Sequence, residues 1–164
     1  LCAGDLVGKG PDPEGVIDLI RENCIPTVLG NHDEKAILRE GSGERELGED
    51  ALAFLQTLPV TREYVWEGQR LLLAHGIPTN NRRNFWPTGP PKEFKRWANR
   101  YWADIVILGH THCPMRVTWQ GLLILNPGSV SCIRRKDSGT FGMLTLPEGR
   151  FEVFDHKTCE RVTL

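Results

Sequence analysis

Apolar and polar positions follow two rhythms along this chain. In its first third, short apolar runs alternate with stretches at helical spacing. Leu1 to Ala3 lead straight into Gly4-Asp5, which predicts a strand that ends by delivering a carboxylate. Pro11-Asp12-Pro13 then makes a turn, with Asp12 suited to cap a helix and Pro13 to its first position. Val16, Ile17, Leu19 and Ile20 give a helical apolar face as far as about Asn23. Pro26 to Leu29 reads as a short buried strand closing at Gly30, and a second helix is expected from near Asp33, carrying Ala36, Ile37 and Leu38.

Residues 41 to 49 are polar and glycine-rich, and they connect to a helix expected over Asp50 to Leu58. From there the rhythm turns strand-rich. Val60 to Trp66 and Arg70 to Ala74 form an expected hairpin about Glu67-Gly68-Gln69. A long loop, Thr79 to Pro91, precedes a helix over Lys92 to Trp102 with Phe94, Trp97, Ala98 and Tyr101 at helical spacing. Strands are expected at Ile105 to Leu108, Met115 to Trp119, Leu122 to Leu125, Phe141 to Leu146 and Phe151 to Phe154. This order predicts an α/β fold of two packed sheets with helices outside them, built as a single domain over residues 1–164. Polar loops at strand ends are where such folds bind ligands.

Composition narrows the function classes. The chain has 164 residues and a formal net charge of −1, so no bulk electrostatic attraction to nucleic acid or membrane is expected. No apolar run approaches the roughly 18 residues that span a bilayer, and no charged-then-apolar leader opens the chain. The five cysteines, Cys2, Cys24, Cys113, Cys132 and Cys159, are odd in number and form no Cys-x-x-Cys. That usage fits reduced thiols and a cytoplasmic protein, and argues against structural zinc.

Four motifs carry the candidate chemistry: Gly4-Asp5, Gly30-Asn31-His32-Asp33, Ala74-His75-Gly76 and Gly109-His110-Thr111-His112. Each follows an apolar, strand-like run, and together they hold four of the five histidines. One histidine at a strand end is more often a hydrogen-bonded core residue than a ligand. Four such motifs at strand ends would converge carboxylate, amide oxygen and imidazole on one crevice. That donor set suits divalent ions such as manganese, iron or zinc. His110 and His112 sit in a turn and can diverge to different ions.

In order and context, GDLVGKGP, VLGNHDE, LLAHG and ILGHTH resemble the calcineurin-like metallophosphoesterases. Asn126 to Val130, NPGSV, also resembles a loop of the small bacterial and archaeal phosphodiesterase branch. The resemblance runs from Leu1 to about Leu146. It implies a sandwich of two mixed β-sheets flanked by helices, and a hydrolase using two divalent metal ions, manganese first and iron, zinc or nickel as alternatives. By that resemblance Asp5 would bridge the ions, Asn31, His75 and His110 would complete the second site, and His112 would belong to the first. His32 would act at the leaving-group oxygen, with Asp33 orienting its ring. A hydroxide held between the ions would attack phosphorus in line.

The family carries a further Asp-x-His on its first strand, and no Asp-x-His precedes Asp5 here. The expectation is therefore a chain partial at its N terminus, lacking the first strand-helix unit. Its first-metal site is expected to be incomplete and to bind more weakly than the second. Substrate clues are fewer. Lys9 and Arg135, with Arg134 beside it, are candidates to neutralise phosphate; Lys9 reads equally as a solvated turn residue. Arg82 and Arg83 with Phe85 and Trp86 would suit a nucleotide, although a solvated loop anchored by aromatics fits the same residues. The leading reading is hydrolysis of phosphodiesters in a small molecule or nucleotide. Alternatives are a protein phosphatase, a dinucleoside polyphosphate hydrolase, or a non-catalytic scaffold with this fold, as in the retromer complex. Intact Asn31, His32, His110 and His112 weigh against the scaffold.

Overall fold

A computed structural model describes residues 1–8, 10–38, 47–86, 88–98, 103–131 and 139–164. Three helices come first: α1 (Pro13–Glu22), α2 (Asn31–Leu38) and α3 (Glu49–Thr57). Asp12 caps α1 as its sequence suggests, accepting from the Gly15 amide at 3.1 Å, with Pro13 in the first turn. Ile17 and Ile20 of α1 pack with Leu6, Val7, Ala51, Leu55 and Leu58 into one apolar cluster. This cluster holds the loop after Asp5 against the helices.

The strands build two sheets. Strands β1 (Thr61–Trp66) and β2 (Gln69–Ala74) form the expected hairpin. Helix α4 (Lys92–Ala98) follows, then β3 (Ile105–Ile107), β4 (Met115–Trp119) and β5 (Leu122–Asn126). These five strands order as β1-β2-β3-β5-β4, with the β2-β3-β5 centre parallel and both edges antiparallel. The smaller sheet holds β6 (Thr140–Thr145), β7 (Arg150–Asp155) and β8 (Arg161–Val162), and is antiparallel throughout.

Burial follows the two-residue strand period. Leu72, Ala74, Val106 and Ile124 face Phe85 and the Phe94 and Trp97 side chains of α4. Leu71, Ile105 and Leu125 face the other way, toward Leu144, Leu146 and Phe151 from the smaller sheet and its flank. The central strands are covered on both faces, so their sequences read as continuous apolar runs. The result is the expected α/β sandwich. Among the described residues no helix is long and apolar enough to cross a membrane.

Two local expectations change. The runs 1–3 and 26–29 form no strand of either sheet; they meet in one parallel bridge, Cys2 to Thr27. The outer edge of 26–29 is taken by other donors and acceptors: Arg62 Nε donates to the Thr27 carbonyl at 2.9 Å, and the Leu29 amide donates to the Pro59 carbonyl at 2.8 Å. Helix α2 begins at Asn31, which places Asn31, His32 and Asp33 in its first turn. Helix α4 is described to Ala98, so Tyr101 and Trp102 lie outside the described residues. The two-residue β8 was unforeseen, because one apolar residue, Val162, carries no periodicity.

Phe94 is fully buried and touches Phe85, Trp97 and Trp119 with ring centroids 4.8, 5.5 and 5.7 Å away. Phe94→Ala should therefore destabilise the fold by about 3–5 kcal/mol. Urea unfolding would read this as a lower midpoint at unchanged slope; an unmoved midpoint would contradict this account of the core.

Candidate metal centre

The site is assembled by a buried carboxylate that lies beside it. Asp33, fully buried in the first turn of α2, accepts from the amides of Asp5 and Gly30 through Oδ2, both at 2.9 Å, and from Val7 through Oδ1 at 3.1 Å. Three backbone donors thus pin the loop 5–7 to the entrance of α2. Burial pushes the Asp33 carboxyl pKa up, its backbone donors oppose this, and the nearby Asp5 charge adds to it; the net shift is upward. Its role is a clasp, where the sequence suggested an orienting partner for His32.

The clasp permits an unusual backbone. Asp5 lies at φ 61°, in the left-handed region. Gly30 passes so close that a Cβ on it would lie 2.2 Å from both Asp5 N and Asp5 Oδ1. No side chain fits there, so glycine is required by contact rather than by a turn.

Held in this way, Asp5 accepts from the His32 amide through Oδ1 at 2.9 Å and turns Oδ2 toward His75 Nε2 at 3.2 Å. It sits at the N-terminal end of α2, where the helix dipole favours an anion. Burial raises its pKa, but the hydrogen bond and charge of His75 outweigh burial and hold the carboxyl below its ordinary range.

His75 follows directly after β2 and is 2% exposed. Its Nδ1 meets the Ala3 carbonyl at 2.6 Å, and a carbonyl can only accept, so Nδ1 carries a proton. Nε2 then faces Asn31 Oδ1 at 3.0 Å, Asp5 Oδ2 at 3.2 Å and His110 Nδ1 at 3.2 Å. In the neutral tautomer these are four electron-pair donors aimed at one another. Such a set is stable only around positive charge. Consistently, burial lowers the His75 pKa, yet the hydrogen bond and charge of Asp5 overcome burial and raise it. Asp5, His75 and His110 each place a ligand atom within 4.8 Å of the others. The residues fit a divalent ion on the chemistry of the donors and on this geometry.

His110 enters from the turn after β3, at φ 64°. Burial and the His75 charge lower its pKa, and the Arg82 carbonyl accepts from its ring. His112, at φ 58°, is half-buried and stands outside the cluster of mutually close ligand atoms. Two left-handed residues flank Thr111 and turn the chain there. The His32 ring packs along the opening loop, where a Cβ on Gly8 would lie 2.7 Å from its Nδ1.

The substrate candidates divide. Lys9, Arg134 and Arg135 lie outside the described residues. Arg83 is exposed, its guanidinium 3.8 Å from Glu93, and it lines a small cleft together with His75 and Gly109. The Arg82 guanidinium meets Glu34 of α2 at 2.9 Å, while its carbonyl serves His110. Phe85 is buried against Phe94 and is packing rather than a stacking platform; Trp86 is 43% exposed. The Asp33 clasp and the Arg82 contacts were missed because both depend on residues far apart in sequence. The sole local hint was a carboxylate placed to enter the first turn of a helix.

Residues 1–149 match the calcineurin-like phosphoesterase superfamily domain. A protein of Methanocaldococcus jannaschii, MJ0912, is 27% identical over 143 residues, covering 79% of this chain and 57% of that protein. The phosphodiesterase YfcE of Escherichia coli is 28% identical over 144 residues, covering 86% of this chain and 68% of that one. The crystal structure of PH1004 from Pyrococcus horikoshii superposes with a TM-score of 0.73 at 15% identity, over 93% of this chain and 72% of that chain. The chain thus spans little more than half the length of the archaeal relative MJ0912.

Asp33→Ala strands three backbone donors. With each unmade buried hydrogen bond costing roughly 1–3 kcal/mol, partly relieved by water, the expected loss is about 3 kcal/mol. Thermal or urea unfolding measures it, and a loss below about 1 kcal/mol, the net worth of a single ordinary hydrogen bond, would remove Asp33 from its place as the clasp.

Proposed function

Because this chain belongs to the calcineurin-like phosphoesterase superfamily, we propose that it is a metal-dependent phosphoesterase acting on phosphodiesters. One observation carries the reading: Asp5 Oδ2, Asn31 Oδ1 and His110 Nδ1 all lie 3.0–3.2 Å from His75 Nε2. In this proposal Asp5, Asn31, His75 and His110 hold one divalent ion, and Asp5 with His112 contributes to a second. Manganese fits the mixed oxygen and nitrogen set. Bound divalent ions supply an activated water for in-line attack and neutralise the phosphoryl oxygens.

The chain's own residues do the rest. His75 is oriented by the Ala3 carbonyl, which leaves Nε2 for the ion. Asp5 is kept ionised by its neighbours and by the end of α2. His32 stands at the first turn of α2 and donates a proton to the departing ester oxygen. Arg82, whose guanidinium is held to Glu34 of α2 and whose backbone meets His110, adds positive charge for the phosphate. The name of the related Escherichia coli phosphodiesterase supports a diester over a monoester. The substrate is a small phosphate ester or a nucleotide. The unbridged Cys2, Cys24, Cys113 and Cys159 support a reducing, cytoplasmic setting.

With Mn2+, the protein should cleave a chromogenic phosphodiester faster than the matching monoester, and chelation should abolish both activities. His32→Ala should reduce kcat by roughly 10²- to 10⁴-fold, the usual contribution of a proton donor, while bound manganese stays unchanged. Loss of metal together with turnover would instead make His32 part of the ion site. Absence of both metal binding and turnover in the full-length protein would favour the scaffold reading.

A further inference from the structure

The His110 turn has a second buried support. Asn126 ends β5 and is 1% exposed. Its Nδ2 donates to the Gly109 carbonyl at 2.6 Å and to Thr111 Oγ1 at 3.1 Å, and its Oδ1 accepts from the Gly128 amide at 2.8 Å. A carbonyl can only accept and a backbone amide can only donate, so one orientation of the side-chain amide satisfies both ends. Asn126 therefore connects the strand end that opens the Asn126 to Val130 loop with both residues flanking His110.

The turn is strained enough to need this. His110 and His112 both occupy the left-handed region, at φ 64° and 58°, which is unfavourable for side chains branching from an ordinary Cα. The Gly109 amide is tied to the His75 carbonyl at 2.8 Å, and its carbonyl accepts from the Thr111 amide at 2.7 Å as well as from Asn126. Both lone pairs of that carbonyl are thus used. Thr111 Oγ1 accepts in turn from the Cys113 amide at 3.3 Å. Without the Asn126 donor, the Gly109 carbonyl keeps only the Thr111 amide and loses its contact to β5, so the peptide that leads into His110 is held less firmly.

We propose that Asn126 is a positioning residue for His110: it fixes the left-handed turn that aims His110 Nδ1 at the point shared with Asp5, Asn31 and His75. Its catalytic consequence rests on the phosphoesterase reading above; its effect on the turn does not. Asn126 touches no reacting atom, and acts through the backbone of residues 109–111.

Asn126→Asp tests this with an isosteric side chain. The Oδ1 acceptor for Gly128 remains, but the donor to Gly109 becomes a second acceptor. In the metal-free protein, hydrogen exchange followed by NMR should quicken at least about tenfold for the amides of 109–113, a local opening, while Val106 and Ile124 keep their protection. Co2+ affinity should fall by roughly 10- to 100-fold, as for other residues that orient metal ligands, and the Co2+ visible spectrum should change. Thr111→Val, which removes only the Oγ1 contacts, should shift the same readouts less; it carries the test if Asn126→Asp does not fold.

Unchanged exchange at 109–113 in the folded variants would overturn the proposal. A loosened turn with unaltered Co2+ affinity and spectrum would overturn it too, since Asn126 would then be structural only. If the turn loosens and the unaltered protein binds no Co2+, the assigned support of the turn stands and the phosphoesterase reading fails.

Discussion

The Asp33 carboxylate on the amides of Asp5, Val7 and Gly30 is the constraint from which the site follows. Asp5 comes from the opening segment, and Asn31 and His32 come from α2. One bridge pairs the segment before Asp5 with the segment before α2, and that is too little to fix side chains to the tolerance a metal site requires. Three hydrogen bonds to one buried anion supply the missing rigidity. They also explain why Gly30 has no side chain: the clasp draws the two backbones closer than a Cβ allows. A carboxylate is suited to this work because it accepts from several amides at once, and charge-assisted bonds are shorter and stronger than neutral ones.

The same solution occurs twice. Asp33 holds Asp5, and Asn126 holds the turn of His110. In both cases the ligand residue lies in the left-handed region and a buried polar side chain satisfies the backbone around it. The chemistry of each support matches its target. Around Asp5 the exposed backbone groups are donors, so an anion serves. Beside His110 the key group is a carbonyl, so an amide is required. His75 needs no such support, because it follows a buried central strand, and the Ala3 carbonyl orients its ring.

Periodicity made most of the fold legible. The β1-β2 hairpin, the parallel strand β3 and strands β4 to β7 lie within one or two residues of the pattern; in the centre of the larger sheet, at β2, β3 and β5, burial on two faces leaves continuous apolar runs. The runs at 1–3 and 26–29 look equally strand-like, yet pair in a single bridge. The outer edge of 26–29 is met by Arg62 and Pro59, partners that no local pattern announces. At the site, Asp5, Asn31, His75 and His110 were legible as residue types at strand ends. Their supports were not: Asp33 reads as a companion of His32, and Asn126 as the first letter of a loop. A hydrogen bond spanning 28 residues from Asp5 to Asp33, or 17 from Gly109 to Asn126, leaves no periodic trace. Phe85 shows the converse, an aromatic in a loop whose burial comes from a helix that follows it.

The cluster around His75 Nε2 also shows why a proton is a poor occupant. A proton on Nε2 points along one direction in the ring plane and serves one acceptor well. Here three acceptors surround that nitrogen at 3.0–3.2 Å. The Asp5 contact that raises the proton affinity of His75 thus reflects a demand for positive charge that a proton meets incompletely. A divalent cation is not bound to one direction, and each of the four atoms can give it a lone pair. Burial sharpens the contrast, since water is scarce around the unserved acceptors and the low dielectric strengthens their repulsion. Fixing the donors through Asp33 and Asn126 keeps that demand in place, because neither Asp5 nor His110 can turn away to relieve it. Preorganisation is thus achieved by supports that withhold an alternative arrangement from the ligands.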